Sequence, residues 1–178
     1  IAVDPEDPAV FYLGHATGGL WKTTNGGTTF SPLMKDERVF SIGDVAVAPS
    51  DPRVVWVGTG EATDRNSAGF GSGVYRSTDG GATWARAGLP ASRAISRVRV
   101  HPSKPEVAFV AVSGDLWTKG GERGLYRTAD GGKSWTKVLS AAAPDDADTG
   151  CVDVVFSPAD PNVLYAALYA RRRTPWSF

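Results

Sequence analysis

An eight-residue pattern occurs three times in this chain and constrains its fold more than any other feature. It reads Ser/Thr, any residue, Asp/Asn, Gly, Gly, any residue, Thr/Ser, aromatic. The copies are TTNGGTTF from Thr23 to Phe30, STDGGATW from Ser77 to Trp84 and TADGGKSW from Thr128 to Trp135. Their anchors Asn25, Asp79 and Asp130 stand 54 and 51 residues apart. GLWKT, GVYRS and GLYRT precede the copies, starting at Gly19, Gly73 and Gly124. A proline turn also recurs, as DPEDP from Asp4, PSDP from Pro49, PSKP from Pro102 and PADP from Pro158. Elements in fixed order at fixed spacing mean a repeat architecture.

Inside a repeat the apolar period is 2. IGDVAV from Ile42 is followed by a proline turn and RVVWVGTG, and ISRVRV from Ile95 by a turn and EVAFVAVSG. Short runs of Val, Ile and aromatics bounded by Pro and Gly read as strands, and no segment shows a helical period. Each unit is therefore strand A, proline turn, strand B, longer loop, strand C, tight hairpin, strand D. Four strands per ~50 residues is the spacing of a β-propeller blade. The expected fold is all-β, with four-stranded antiparallel blades at approximately 1–34, 39–89 and 94–140 and a truncated one at 151–178. Three and a half blades make an incomplete ring, so the remaining blades of a parent chain are expected partners.

The repeated hairpin has a structural explanation. An Asx side chain can accept backbone N–H groups two residues on, and glycine supplies positive φ without a Cβ clash. The terminal aromatic is placed to pack between blades. The expected structural set is Thr23, Asn25, Gly27, Thr29 and Phe30 in the first copy. In the second it is Ser77, Asp79, Gly81, Thr83 and Trp84, and in the third Thr128, Asp130, Gly132, Ser134 and Trp135.

Charge narrows the partners. Nineteen Lys and Arg balance nineteen Asp and Glu, which argues against nucleic acid. No apolar run approaches the ~20 residues that span a bilayer, so membrane insertion is not expected. Cys151 is the single cysteine and reads as buried and inert. The acidic run Asp145, Asp146, Asp148, Asp153 fails the order of a calcium loop, and His15 and His101 lack ligand spacing. No metal and no cofactor are expected.

Topology assigns a working face. In an up-and-down blade the A–B and C–D turns share one end, and the longer B–C loops and D–A links share the other. Function usually sits on loops held by a rigid scaffold. The expected ligand-binding residues are Glu61, Asp64, Arg65 and Asn66 from the second blade. Asp115, Trp117 and Arg123 come from the third, and Arg171 and Trp176 from the fourth. Glu61 and Asp115 are the candidate catalytic carboxylates, weighed against a role in capping loop backbone.

The three hairpins resemble the Asp box, or BNR repeat. With GTGEA, GVYRSTDGGATW, RVRVHP and RRRTPWS, the chain resembles bacterial propellers labelled sortilin N-terminal-like or "glycosyl hydrolase". The resemblance implies a sortilin-like binding or scaffolding module that presents its loop face to a peptide, protein or glycan. It leaves two alternatives: a glycoside hydrolase of sialidase or xyloglucanase type with part of its active site on other blades, and an assembly factor for a membrane complex. It also implies a secreted, periplasmic or cell-envelope location. The segment around GGLW is similar to xyloglucanases, in which a catalytic Asp precedes the Gly-Gly pair by two residues. Ala16 stands there in this chain.

Overall fold

The computed structural model describes residues 1–37, 39–174 and 176. Arg38, expected in the first D–A link, and Pro175, Ser177 and Phe178, expected in the last loop, lie outside the described residues. The first sheet holds β1 (Ala2–Val3), β2 (Phe11–His15), β3 (Gly19–Thr23) and β4 (Ser31–Leu33). The second holds β5 (Ile42–Ala48), β6 (Asp51–Thr59), β7 (Val74–Ser77) and β8 (Ala85–Arg86). The third holds β9 (Ile95–His101), β10 (Lys104–Val112), β11 (Gly124–Thr128) and β12 (Thr136–Leu139). The fourth is the pair β13 (Thr149–Phe156) and β14 (Leu164–Ala170). Each sheet is an antiparallel meander in chain order, as a propeller blade requires. A single 3₁₀ turn at Asp145–Ala147 is the one helical element among the described residues.

The period of 2 becomes two cores per blade. Successive side chains of a strand point to opposite faces. Val55 and Val57 of β6 therefore join Tyr12, Leu20 and Ile42 between the first and second blades. Val54 and Trp56, alternating with them, join Ile95, Val98 and Val110 between the second and third. In β10 the same division sends Ala108, Val110 and Val112 to that core. Val107, Phe109 and Ala111 go to the next, with Cys151 and Val154. A strand buried on both faces loses its polar alternation, which is why both strands end in unbroken buried runs. Beyond the last core the outer side of the fourth blade is bare, with Val155, Tyr165 and Tyr169 exposed.

Residue size is matched at the blade junctions. Gly14 of β2 faces Ile42, and a Cβ there would come 2.5 Å from the Ile42 Cγ2. Gly58, at the equivalent position of β6, faces Ile95 in the same way, at 2.3 Å. The third junction uses the other solution: Ala111 replaces the glycine, and the smaller Cys151, at the position of the isoleucines, shares its core. Burial pushes the Cys151 thiol up to about 11, so it stays protonated. Charges also alternate from blade to blade. Asp44, Arg97 and Asp153 occupy one position of three successive A strands. Arg97 Nε donates to Asp153 Oδ1 at 2.8 Å, and its Nη1 lies 3.9 Å from Asp44 Oδ2. Asp44 also accepts the Val98 N–H at 2.9 Å.

The hairpins differ in one respect from the expected Asx turn. Asp79 Oδ1 accepts the Thr83 N–H, four residues on, at 2.9 Å, and the Ser77 hydroxyl at 2.7 Å. Its Oδ2 accepts the Thr83 hydroxyl at 2.6 Å. The Ser77 oxygen in turn accepts the Gly81 N–H at 2.8 Å. Asp130 repeats the arrangement with Thr128 and Ser134. The two glycines push the return strand out, so the carboxylate spans the whole turn. The Thr83 hydrogen bonds pull the Asp79 carboxyl down to about 2, and those from Ser134 hold Asp130 well below the usual range. Asn25 keeps the geometry without charge: its Oδ1 accepts the Thr29 N–H and its Nδ2 donates to the Thr29 hydroxyl, both at 2.9 Å.

The box aromatics are not equivalent. Trp135 inserts between blades, edge-to-face on Trp56 at 6.2 Å, and its Nε1–H donates to the Ala87 carbonyl at 2.6 Å. Trp84 turns its Nε1–H back to the Gly81 carbonyl of its own hairpin, at 3.1 Å. Phe30 packs on Phe11 in its own blade.

Candidate functional site

The loop face is built from the ends of the B strands. After β6 the chain turns at Gly60, whose φ is +90° and where a Cβ would sit 2.0 Å from the Arg93 carbonyl oxygen. The next residue, Glu61, is 5% exposed. Its carboxylate accepts the Arg65 Nη2–H at 2.9 Å, the Gly69 N–H at 3.3 Å and the Thr63 hydroxyl. Burial pushes its carboxyl up, but these donors outweigh it and hold it below the usual carboxylate range. Asp115 follows β10 in the same manner and is 7% exposed. Its Oδ1 accepts the Trp117 and Thr118 N–H groups at 2.8 and 3.3 Å, and its Oδ2 the Arg93 Nε–H at 3.4 Å. Burial again pushes up, the hydrogen bonds prevail, and the group stays low.

Two buried arginines tie the loops together. Arg123 is 1% exposed and donates to the carbonyls of Ser113 at 2.7 Å, Thr118 at 2.8 Å and Gly120 at 3.0 Å, and to that of Asp115. Burying a guanidinium hydrogen-bonded to carbonyl oxygens is costly, and burial lowers its pKa, partly offset by the nearby Asp148 and Asp115 carboxylates. Arg171 is 2% exposed. From the fourth blade it reaches Asp64 Oδ1 at 2.8 Å, the Thr63 carbonyl at 2.7 Å and the Gly114 carbonyl at 2.7 Å. It thus joins three blades. Arg173 extends the seam to the Asn66 Oδ1 at 2.9 Å.

Glu61, Asp64, Arg65, Asn66, Asp115, Trp117, Arg123 and Arg171 are therefore gathered on one face, while Trp176 is 93% exposed. Glu61, Asp115, Trp117 and Arg171 line a shared gap of about 10 Å³, room for about one water. Next to it, a cleft of about 380 Å³ opens between Pro90–Arg93 and Thr118–Gly121, with Asp115 in its wall and Arg93 and Lys119 at hand. The sequence reading did not single out Arg93. It packs its guanidinium over Phe70 at 4.3 Å while holding Asp115, and a lone cation in a short D–A link was its only signal. Glu122 differs from the other carboxylates of this face: burial raises its pKa, only partly offset by the Ala91 N–H it accepts and by Lys137.

The family model described as "Sortilin, neurotensin receptor 3" (Sortilin-Vps10) matches residues 72–174, more than half of the chain. The chain belongs to the Sortilin-Vps10 family. Among curated relatives of this Sortilin-Vps10 chain, a xyloglucanase of Hypocrea jecorina is 28% identical over 166 residues, 82% of this chain and 20% of the relative. The chain thus spans about a fifth of that relative's length, and 12% of that of a Paenibacillus xyloglucanase. Among solved structures, an ancestral GH74 enzyme matches with a TM-score of 0.72 at 20% identity, covering 96% of this chain and 23% of that one. YCF48 bound to D1 peptide matches with a TM-score of 0.56 at 19% identity, covering 88% and 43%. The structural matches establish the propeller fold and the incomplete ring.

Proposed function

We propose that this chain is part of an exported polysaccharide-binding propeller of glycoside-hydrolase type, and that its loop face supplies a glycan subsite. The observation that carries the reading is the cleft of about 380 Å³ bounded by Asp115, Arg93 and Lys119. Its size falls within the ~300–1,000 Å³ of small-ligand sites. Its mixture of one carboxylate and two cations suits hydroxyl groups, which donate to the first and accept from the others. The xyloglucanase relatives support a glycan as ligand.

Acid–base chemistry is assigned to other parts of the ring. A general acid needs a carboxyl whose pKa is raised. Glu61 and Asp115 are held ionised by the loop donors that bond them, which suits them to fixing loops. Asp115 Oδ2, with one long bond from Arg93, keeps capacity to accept a hydroxyl. Ala16 stands where xyloglucanases resembling this chain have a catalytic Asp. The same two facts favour a second reading, a binding module without turnover. The whole protein, incubated with soluble xyloglucan, should bind it saturably, and Arg93→Ala with Lys119→Ala should weaken binding at least tenfold. Release of reducing ends decides between hydrolase and binder. Unchanged affinity in the double variant would refute the site.

A further inference from the structure

A second, unassigned groove lies away from the loop-face cleft, between the outer strand of the first blade and the Asp-box hairpin of the second. It measures about 430 Å³ and is lined by Leu33, Lys35, Asp36, Glu37, Ala82 and Trp84, among others. Comparison with the next junction explains why it exists. At the second–third junction Ala87 and Gly88 leave a slot that Trp135 fills, and a Cβ on Gly88 would lie 2.6 Å from the Trp135 Nε1. At the first–second junction the same two positions carry Leu33 and Met34. Both side chains pack into that junction's core, so the slot is taken. Trp84 therefore bonds its own hairpin, and its indole forms a wall of the groove.

We propose that this groove binds a neutral oligosaccharide segment, with the Trp84 indole as the platform for the apolar face of a sugar ring. The polar groups around it suit that ligand. The Lys35, Asp36 and Glu37 side chains make no hydrogen bond or ion pair among the described residues, although the Glu37 N–H donates to the Met34 carbonyl at 3.2 Å. Their charges are of both signs, which matches hydroxyl groups better than a strongly ionic chain. Trp84 also keeps an apolar body beside polar neighbours, the arrangement in which tryptophan serves recognition. The groove stands apart from Arg93 and Asp115, and its ligand class follows from its own lining.

The test follows the Trp84 indole N–H resonance of the full chain on titration with cellotetraose, and with trigalacturonate as an acidic comparison. The neutral sugar should shift the resonance saturably. Leu33→Ala with Met34→Gly rebuilds the slot of the next junction; the indole should enter it and affinity should fall at least tenfold. Should that variant fail to fold, Ala82→Arg serves instead. Ala82 holds the box's variable position, where Thr28 and Lys133 stand in the other copies, so the arginine blocks the groove from outside. Ala82→Arg should abolish the Trp84 shift while leaving xyloglucan binding at the loop face intact, so failure of either site is seen separately. A Trp84 resonance unmoved by cellotetraose, moved only by trigalacturonate, or still shifted in the blocked variant would overturn the proposal.

Discussion

Trp135→Ala is expected to be the costliest of the three Asp-box aromatic truncations. An aromatic side chain buries ~150–250 Å², worth about 4–6 kcal/mol at about 25 cal/mol per Å² if fully buried. Trp135 is partly buried, and about half of that figure, 2–3 kcal/mol, applies to it. The edge-to-face pair with Trp56 adds ~0.5–1.5 kcal/mol, and the hydrogen bond to Ala87 about 1 kcal/mol. The sum is about 4 kcal/mol, inside the ~3–5 kcal/mol found for large aromatics cut to alanine. Trp84 also packs against a core, the one between the first and second blades, but it has no ring partner among the described residues and its N–H bonds its own hairpin, so Trp84→Ala should cost about 1 kcal/mol less. In urea, with a slope of about 2 kcal/mol per molar, the midpoint should fall by about 2 M for Trp135→Ala and by about 1.5 M for Trp84→Ala. Far-UV circular dichroism reads both. Equal shifts would refute the claim that the ring pair with Trp56 and the cross-blade hydrogen bond to Ala87 set Trp135 apart.

Three further outcomes follow from packing and charge. Gly43→Ala places a Cβ 1.9 Å from the Ile95 carbonyl oxygen, a backbone atom that cannot yield, and should cost about 3 kcal/mol in the same assay. Cys151→Ile should destabilise by about 1–3 kcal/mol through overpacking. Adding Ala111→Gly should recover part of that loss, since it recreates the Gly–Ile pairing of the other junctions; a double-mutant cycle without coupling would contradict it. Acid should act selectively on the hairpins. Asp79 has a folded pKa of about 2 against an ordinary 3.8, so its stabilisation is complete above pH ~4 and lost as pH falls through ~2. Asp130, held lower still, loses its stabilisation at a lower pH, whereas Asn25 does not titrate. Amide protection at Gly81 should therefore fade as pH falls to about 2 and that at Gly132 only at still lower pH, while that at Gly27 persists.

The blades were legible because their information is local. Eight residues specify each hairpin, and alternating valines specify each strand, so repeat, strand order and faces could all be read in advance. The reach of the Asp79 carboxylate to Thr83 was less accessible, because it depends on the excursion of Gly80 and Gly81. The loop face was located from topology, yet its internal wiring was not. Arg171 meets Asp64 across 107 residues of sequence, and nothing in either loop's composition marks the partner. The different fates of Trp84 and Trp135 were hidden for a related reason: the boxes are alike, and the deciding residues, Leu33 and Met34 against Ala87 and Gly88, lie just beyond them.

The Asp44–Arg97–Asp153 sequence of charges has a bearing on how such a ring can change over evolutionary time. Each of the last three blades presents the sign opposite to its neighbour's at that position, so these adjacent units are distinguishable modules. Excising the third blade would set Asp44 against Asp153, two carboxylates with the intervening guanidinium gone. Copying the second blade in place would likewise align two aspartates. Gain or loss of blades by twos preserves the alternation, so lineages carrying this ladder should add or delete repeats in pairs, or else change a charge at each new seam.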